Sequence, residues 1–459
     1  GSISLFYAVS CDGELILSTG YRSLLKQLTR TEIECVREEA IYQFLYMRRL
    51  FGGTTYHNNV ACLPSACRMK FSFGSKQLDF QTYWQPNHVQ LSNKKDTAVM
   101  LAEALRESTQ MYLASGESRY GLMLSGGLDS RALLSIGQGQ YCSFTSATTE
   151  NNEVQIARRL ANLFGSKHTY LKRPDNYFEQ IFQRAISCSN AMTVFYESQF
   201  IGYLNRIAQE VDVVHMGLGL DIFFCGHYLP KYHPKLFGRP SLYFRATKMA
   251  EENEESNFVQ NISYRLKTST LTEVMNENTN DQLTESLMDS VGKKMRTGRA
   301  LGLSGNALWE FMHLTDVGRH YSMLMAHSLK GKLDVQLPAL ENRLYDLAFM
   351  IPPDMKLNWT VYLSALTRNS GRAMAIQNSN TNIRANCGLF NQTLYNVARG
   401  AIRKVAPRYI QGMPNYWERS WPLVRDDLDN EYIREKIEDM VRNGKINELS
   451  FIDPKKIEC

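Results

Sequence analysis

The chain has 459 residues, 44% of them hydrophobic and 21% charged, a length suited to two or three domains and a composition neither disordered nor fibrous. Its 52 basic residues barely exceed its 46 acidic ones and gather only into pairs such as Lys94-Lys95 and Lys293-Lys294, so no nucleic-acid partner is expected. Ile3 to Val9 and Glu14 to Ser18 read as a β-hairpin across the favoured turn Asp12-Gly13. Helical spacing then runs from Thr31 to Leu50, with Thr29 or Thr31 as N-cap. Cys67 to Phe73 and Leu78 to Trp84 are strand-like, and polar Gln85 to Lys95 reads as a linker. Residues 1–90 are therefore expected to form a small α+β domain, and 91–459 a larger one that opens with an amphipathic helix over Asp96 to Ser115.

Gly121 to Leu124 reads as the end of a buried parallel strand, and Leu128 onward has helical spacing. Between them, Ser125-Gly126-Gly127 is a turn that only small residues make. A strand, a tight turn and a helix start together form an anion cradle of backbone N–H groups. Asp129 puts a carboxylate beside the bound phosphate, which makes sense if a divalent cation bridges the two.

The chain continues with a strand over Tyr141 to Ala147, a helix from Asn152 to Phe164 and a short strand from His168 to Leu171. This alternation predicts an α/β fold with a doubly wound parallel sheet, whose ligands bind at the carboxyl ends of the strands. Thr145 and Ser146 would then lie beside the first loop, near adenine or ribose, while Glu150 and Glu153 read as ordinary helix-start carboxylates. Further on, the β-branched strand that begins at Val211 runs into Gly217-Leu-Gly219, with Asp221 following.

Tyr228 to Gly305 is mixed and polar, with helical segments expected near Tyr243 to Glu251 and Leu271 to Arg296. Asn306 to His327 is strongly helical, and Lys332 to Phe349 follows it. Asp316 and Arg319 share a face at i and i+3, as a structural salt bridge or as a base or carboxylate clamp in the pocket. Trp417, Trp421 and a helix from Glu431 to Arg442 read as C-terminal packing. The nine cysteines are dispersed without a Cys-x-x-Cys pair, which speaks against zinc and fits reduced thiols. No apolar run approaches a membrane span and no signal-peptide pattern opens the chain, so the expectation is a cytoplasmic protein without a membrane partner.

Ser125-Gly-Gly-Leu-Asp-Ser130 resembles the pyrophosphate loop of the ATP pyrophosphatases, which cleave ATP between its α- and β-phosphates to adenylate a substrate. It is not a Walker loop, because no Gly-Lys-Ser/Thr follows. The strand from Gly1 to Tyr7, the helix after it, the Leu63-Pro64 turn and Tyr83-Trp84 are similar to the tail of the glutaminase-like, Ntn-type domain of class B asparagine synthetases. In that family an N-terminal cysteine hydrolyses glutamine. Residue 1 here is Gly, the front of the domain is expected to be absent, and glutamine hydrolysis is not expected of the chain as it stands.

The same family carries a second phosphate loop of the form Gly-Glu-Gly-x-Asp-Glu, which Gly217, Gly219 and Asp221 match. The resemblance implies ATP and Mg2+ as cofactors. Leu124, Ser125, Gly126, Gly127, Asp129, Ser130, Ser146, Met216, Gly217 and Gly219 would hold the nucleotide, and Asp129 with Asp221 the metal. Leu218 and Ile222 stand where asparagine synthetases have glutamates. Isoleucine directly after the aspartate resembles β-lactam synthetase, and lasso-peptide cyclases likewise keep the aspartate and alter its neighbours.

Ser328 to Leu344 is similar to the family's Ser-Leu-Glu-x-Arg-x-Pro-Phe-Leu-Asp stretch, through Pro338, Leu340 and Arg343, with Glu341 for the aspartate; it is expected to pack internally and form part of the substrate wall. The family's Pro-Lys-x-Gly loop has its counterpart in Ile383 to Gly388, where Asn386 takes the lysine's place and Arg384 is the nearest cation. The catalytic candidates are thus Asp316, Arg319 and Arg384.

What the resemblance implies is an ATP-dependent, AMP-forming amide-bond synthetase, a carbon–nitrogen ligase. A small-molecule or peptide carboxylate would attack the α-phosphate, and an amine would displace AMP. The amine belongs to the same molecule, as in macrolactam closure, or to a second one. Peptide or natural-product biosynthesis with a precursor-peptide or leader-processing partner is the implied setting. The alternatives are glutamine- or ammonia-dependent asparagine synthesis, an RNA-modifying adenylating enzyme, and a nucleotide-binding homologue without turnover.

Overall fold

β1 (Phe6–Val9) and β2 (Leu15–Ser18) pair antiparallel across the Asp12-Gly13 turn, as the sequence leads one to expect. The computed structural model describes residues 3–33, 36–86, 89–114, 118–236, 238–240, 243–247, 253–262, 275–276, 280–315, 322–405, 431–443, 449–453 and 456. A further strand, β3 (Val60–Cys62), lies on the other edge of β1. Three residues are too few for an alternation to announce it. The helix expected over Thr31 to Leu50 is shorter: α1 spans Glu38–Met47 and ends where Arg48 enters the left-handed region at φ 55°. β4 (Cys67–Ser72) and β5 (Gln77–Thr82) form a separate hairpin. Phe6, Tyr21, Leu24 and Val60 give this N-terminal piece its own small core.

The end of the expected linker is already helical. Asn93 accepts from the N–H groups of Lys95 and Asp96, so α2 (Lys94–Leu113) starts there. Beyond it lies the five-stranded sheet of β6 (Tyr120–Met123), β7 (Tyr141–Ala147), β8 (Lys167–Lys172), β9 (Val213–His215) and β10 (Asp334–Gln336). The order is β10-β9-β6-β7-β8, with every neighbouring pair parallel. β6 is buried along its whole length, as a central parallel strand must be. The chain winds outward from β6 to β8, then returns to lay β9 on the other side of β6. This is the doubly wound parallel sheet expected, and it sets the loops after β6 and β9 side by side at the topological switch point.

The connecting helices include α3 (Asp129–Ile136), α4 (Asn152–Leu163), α5 (Tyr177–Ser189), α6 (Leu204–Glu210) and α7 (Leu220–Phe224). Asn151 caps α4 by accepting from Val154 N–H at 3.2 Å. One expectation after β9 needs correction. Arg245–Ala246 is a short strand paired with Lys231–Tyr232 rather than helix, and residues 248–252 lie outside those described. β10 falls within the stretch Lys332 to Phe349, and Pro338 two residues on ends the extended run in a buried turn.

The second expected helix forms as α8 (Asn280–Ala300), with the start expected for it, 271–274, outside the described residues. α9 (Gly305–Leu314) and the short helix Met323–His327 take up the strongly helical region, while Asp316 and Arg319 lie outside the described residues, as do Trp417 and Trp421. α10 (Thr360–Met374) packs along α2 and α3, and the C-terminal helix forms over Glu431–Asn443. No described helix is long and apolar enough to cross a membrane.

Candidate functional site

The first loop is folded by its own serines. Ser125 N–H donates to Ser130 Oγ at 3.0 Å, and Gly127 N–H donates to Ser125 Oγ at 3.2 Å. The turn is thereby closed before α3 begins, with Asp129 in the first turn of that helix. The second loop approaches it so closely that Gly217 has no room for a side chain. A Cβ there would lie 2.7 Å from the carbonyl carbon of Asp129 and 2.8 Å from Ser130 N. Gly219, at φ +100°, then turns the chain into α7, whose first turn carries Asp221.

Between the loops is a cleft of about 230 Å³. Leu124, Ser125, Asp129 and Ser130 line it from the first loop, Met216, Gly217, Leu218 and Asp221 from the second, and Thr145 and Ser146 from the end of β7. Gly126, Gly127 and Gly219 shape the turns that carry these residues and do not themselves line the cleft. Glu153, read from sequence as a plain helix-start carboxylate, faces this cleft as well as standing in the first turn of α4. Phe200 and Met325 complete an apolar side; no local pattern marked either of them. Met325 precedes the Ser328 to Leu344 stretch. That stretch packs internally, with Pro338 and Ala339 buried, and contributes no lining residue to the cleft.

Burial and the neighbouring charge of Asp221 push the Asp129 carboxyl well above its usual range. Opposing them, the Tyr362 hydroxyl donates to Asp129 Oδ1 at 2.5 Å, and the backbone N–H of Asp221 donates to the same carboxylate. Tyr362 is fully buried in α10, stacked on Phe224, and nothing in its local sequence distinguishes it from the other 23 tyrosines. On the outer side, His227 Nε2 lies 3.4 Å from Asp221 Oδ2, which remains partly exposed. Burial, followed by the two aspartates, also pushes the Cys225 thiol far up, so it is a packing residue and no nucleophile. Lys356, whose charge also acts on the Cys225 thiol, donates to Glu310 Oε2 at 2.9 Å in a buried ion pair.

Two carboxylates that sense each other's charge, beside a backbone approach closed to any Cβ, fit a hard divalent cation and the phosphates it would bridge. Among the described residues no group of three or more His, Cys, Asp or Glu could hold a metal by itself, so water and substrate oxygens would complete its coordination. Arg384 is exposed at the end of a loop whose base is the Gln377–Arg384 bridge. That loop rests on the first turn through Ser379 N–H, which donates to Gly126 O at 3.0 Å, but Arg384 does not line the cleft.

A family model, asparagine synthase, matches residues 100–373. The chain belongs to the asparagine synthase family. The matched span holds both loops, both aspartates and Tyr362, and stops short of Arg384. As a member, the protein is an asparagine synthetase-like carbon–nitrogen ligase. Among solved structures it is similar to the NH3-dependent NAD synthetase of Campylobacter jejuni, at 14% identity over 46% of this chain and 98% of that one, with a TM-score of 0.21. That likeness is too slight to bear on the fold. No curated protein matches the chain significantly.

Proposed function

We propose that this family member is an ATP-dependent, AMP-forming amide synthetase: it adenylates a substrate carboxylate and passes the acyl group to an amine. The observation that carries this reading is the meeting of Asp129 and Asp221 across the Gly217 contact, in one cleft with Ser125 and Ser130. The first turn would seat the pyrophosphate, and Ser146 with Met216 at neighbouring strand ends would border the nucleoside. Magnesium between the two aspartates would offset the charge that builds on pyrophosphate as it leaves. Tyr362 holds Asp129 in place for that task. Arg384, on the loop seated against Gly126, would supply the cation that the family draws from a lysine.

Phe200, Met325 and Leu218 give the cleft an apolar side where a small polar acceptor would find few partners. This favours an amine borne on an apolar molecule or a peptide, including ring closure within one substrate, over free ammonia. A partner that presents a precursor peptide belongs to the same proposal.

The test is pyrophosphate release from Mg-ATP with a panel of carboxylic acids and amines, comparing wild type with Asp129→Asn. Release by the wild type alone is expected. A wild type that binds Mg-ATP yet releases nothing across a broad panel would point to a nucleotide-binding protein without turnover.

A further inference from the structure

Arg131 is fully buried two residues beyond Asp129, and its hydrogen-bond partners are backbone carbonyls. Nε donates to Gly127 O at 2.9 Å. One terminal nitrogen donates to Ala373 O and Ile376 O, both at 2.9 Å, and the other to Gly126 O at 2.9 Å and Gln377 O at 2.7 Å. All five N–H bonds of the guanidinium are thus used, two on the first turn and three on the chain at and beyond the end of α10. Gly126 is also crowded by the chain beyond α10: a Cβ there would fall 2.6 Å from Ser379 Cβ.

In a planar trans peptide unit, the C=O and the following N–H point in opposite directions. Holding the Gly126 and Gly127 carbonyls therefore turns the N–H groups of Gly127 and Leu128 away from Arg131. Gly127 N–H accordingly reaches Ser125 Oγ, and Ser125 lines the cleft. Resting on the reading of this turn as a pyrophosphate seat, we infer that Arg131 is a positioning residue. It sets the turn from behind, without touching the substrate: the Gly127 amide holds the cleft-lining Ser125 hydroxyl, the Leu128 amide is turned toward the phosphate side, and the turn is coupled to the loop that carries Arg384.

Titration of wild type, Arg131→Lys and Arg131→Ala with Mg-ATP and with magnesium pyrophosphate tests this, with thermal melting recorded for each. Lysine keeps the charge but not the planar five-donor fork, so Arg131→Lys should bind both ligands about tenfold or more weakly. Guanidinium, and not methylammonium, should restore part of the binding to Arg131→Ala. A folded Arg131→Lys that binds both ligands as wild type does would overturn the inference. If neither variant folds, hydrogen exchange on the wild type decides: Mg-ATP should slow residues 125–130 and 376–379 together, and slowing confined to the first stretch would overturn it. A wild type that binds neither ligand would remove the ATP reading itself, and this inference with it.

Discussion

Tyr362 reaches Asp129 from a helix 233 positions further along the chain and donates to its Oδ1 at 2.5 Å. The bond fixes Oδ1 of a carboxylate that lines the cleft. Tyr362→Phe keeps the ring against Phe224 and removes only the hydroxyl. Losing a hydrogen bond to a charged group costs about 1.5–3 kcal/mol, so Mg-ATP affinity should drop by about tenfold or more. Calorimetry at fixed magnesium would show it, and an unchanged affinity would mean that the hydroxyl does not hold Asp129.

Gly217 and Gly127 make a paired comparison. Alanine at 217 forces its Cβ into the backbone of Asp129 and Ser130, whereas at 127 it meets only Ser125 Oγ, at 3.2 Å. Overpacking of the first kind costs about 1–3 kcal/mol. Gly217→Ala should lose most of its nucleotide binding, and Gly127→Ala should be the milder of the two. Equal behaviour of the pair would contradict the close approach of the loops.

Lys356 and Glu310 form a buried ion pair. Burial raises the Glu310 carboxyl, and Lys356 opposes the rise. Lys356→Met would strand that carboxyl and should cost about 3–5 kcal/mol in denaturant unfolding. Replacing both, with Glu310→Leu added, should recover much of the loss. A double variant no better than the single one would show that the damage comes from packing.

His215 provides a pH signature. It is fully buried, with Tyr141 Oη 2.7 Å from Nδ1 and Gln336 Oε1 2.8 Å from Nε2. The Gln336 amide nitrogen is engaged by Asp334, so Nε2–H donates to the glutamine oxygen, and the neutral ring then accepts from the tyrosine hydroxyl at Nδ1. Burial lowers its pKa from 6.5 to about 4. The unfolded chain therefore takes up a proton below pH 6.5 that the folded one refuses until about pH 4. The full contribution to stability is present above pH 6.5 and is lost as pH falls toward 4, by about 3 kcal/mol in all. The pH dependence of unfolding should be shallower over this window in His215→Gln than in wild type; identical slopes would refute it.

What could be read in the sequence was whatever the backbone itself demands. Ser125-Gly-Gly and Gly217-Leu-Gly mark places where a Cβ does not fit or the chain must turn sharply, so small residues at those positions carry the information locally. The alternation of strand and helix from Tyr120 to Leu171 likewise gave the sheet. Side chains that act from a distance left no such trace. Arg131 reads as one more polar residue on an amphipathic helix, and its five carbonyl partners belong to segments fixed only by tertiary packing. β10 escaped because its three residues rely on pairing with β9 rather than on any propensity of their own. The strand at Arg245–Ala246 replaced an expected helix for the same reason, its partner being Lys231–Tyr232.

Because β9 joins β6 only after the chain has travelled out to β8 and back, the two aspartates face each other only once the sheet is assembled. Tyr362 and the carbonyls at the end of α10 arrive from later still. A nucleotide lodged there would fasten together stretches of chain that synthesis delivers far apart in time. Protease resistance of residues 120–136, 213–224 and 360–377 should therefore rise together with Mg-ATP concentration: a ligand at 100 times its Kd would add about 2.7 kcal/mol to the stability of every segment that must be in place to receive it.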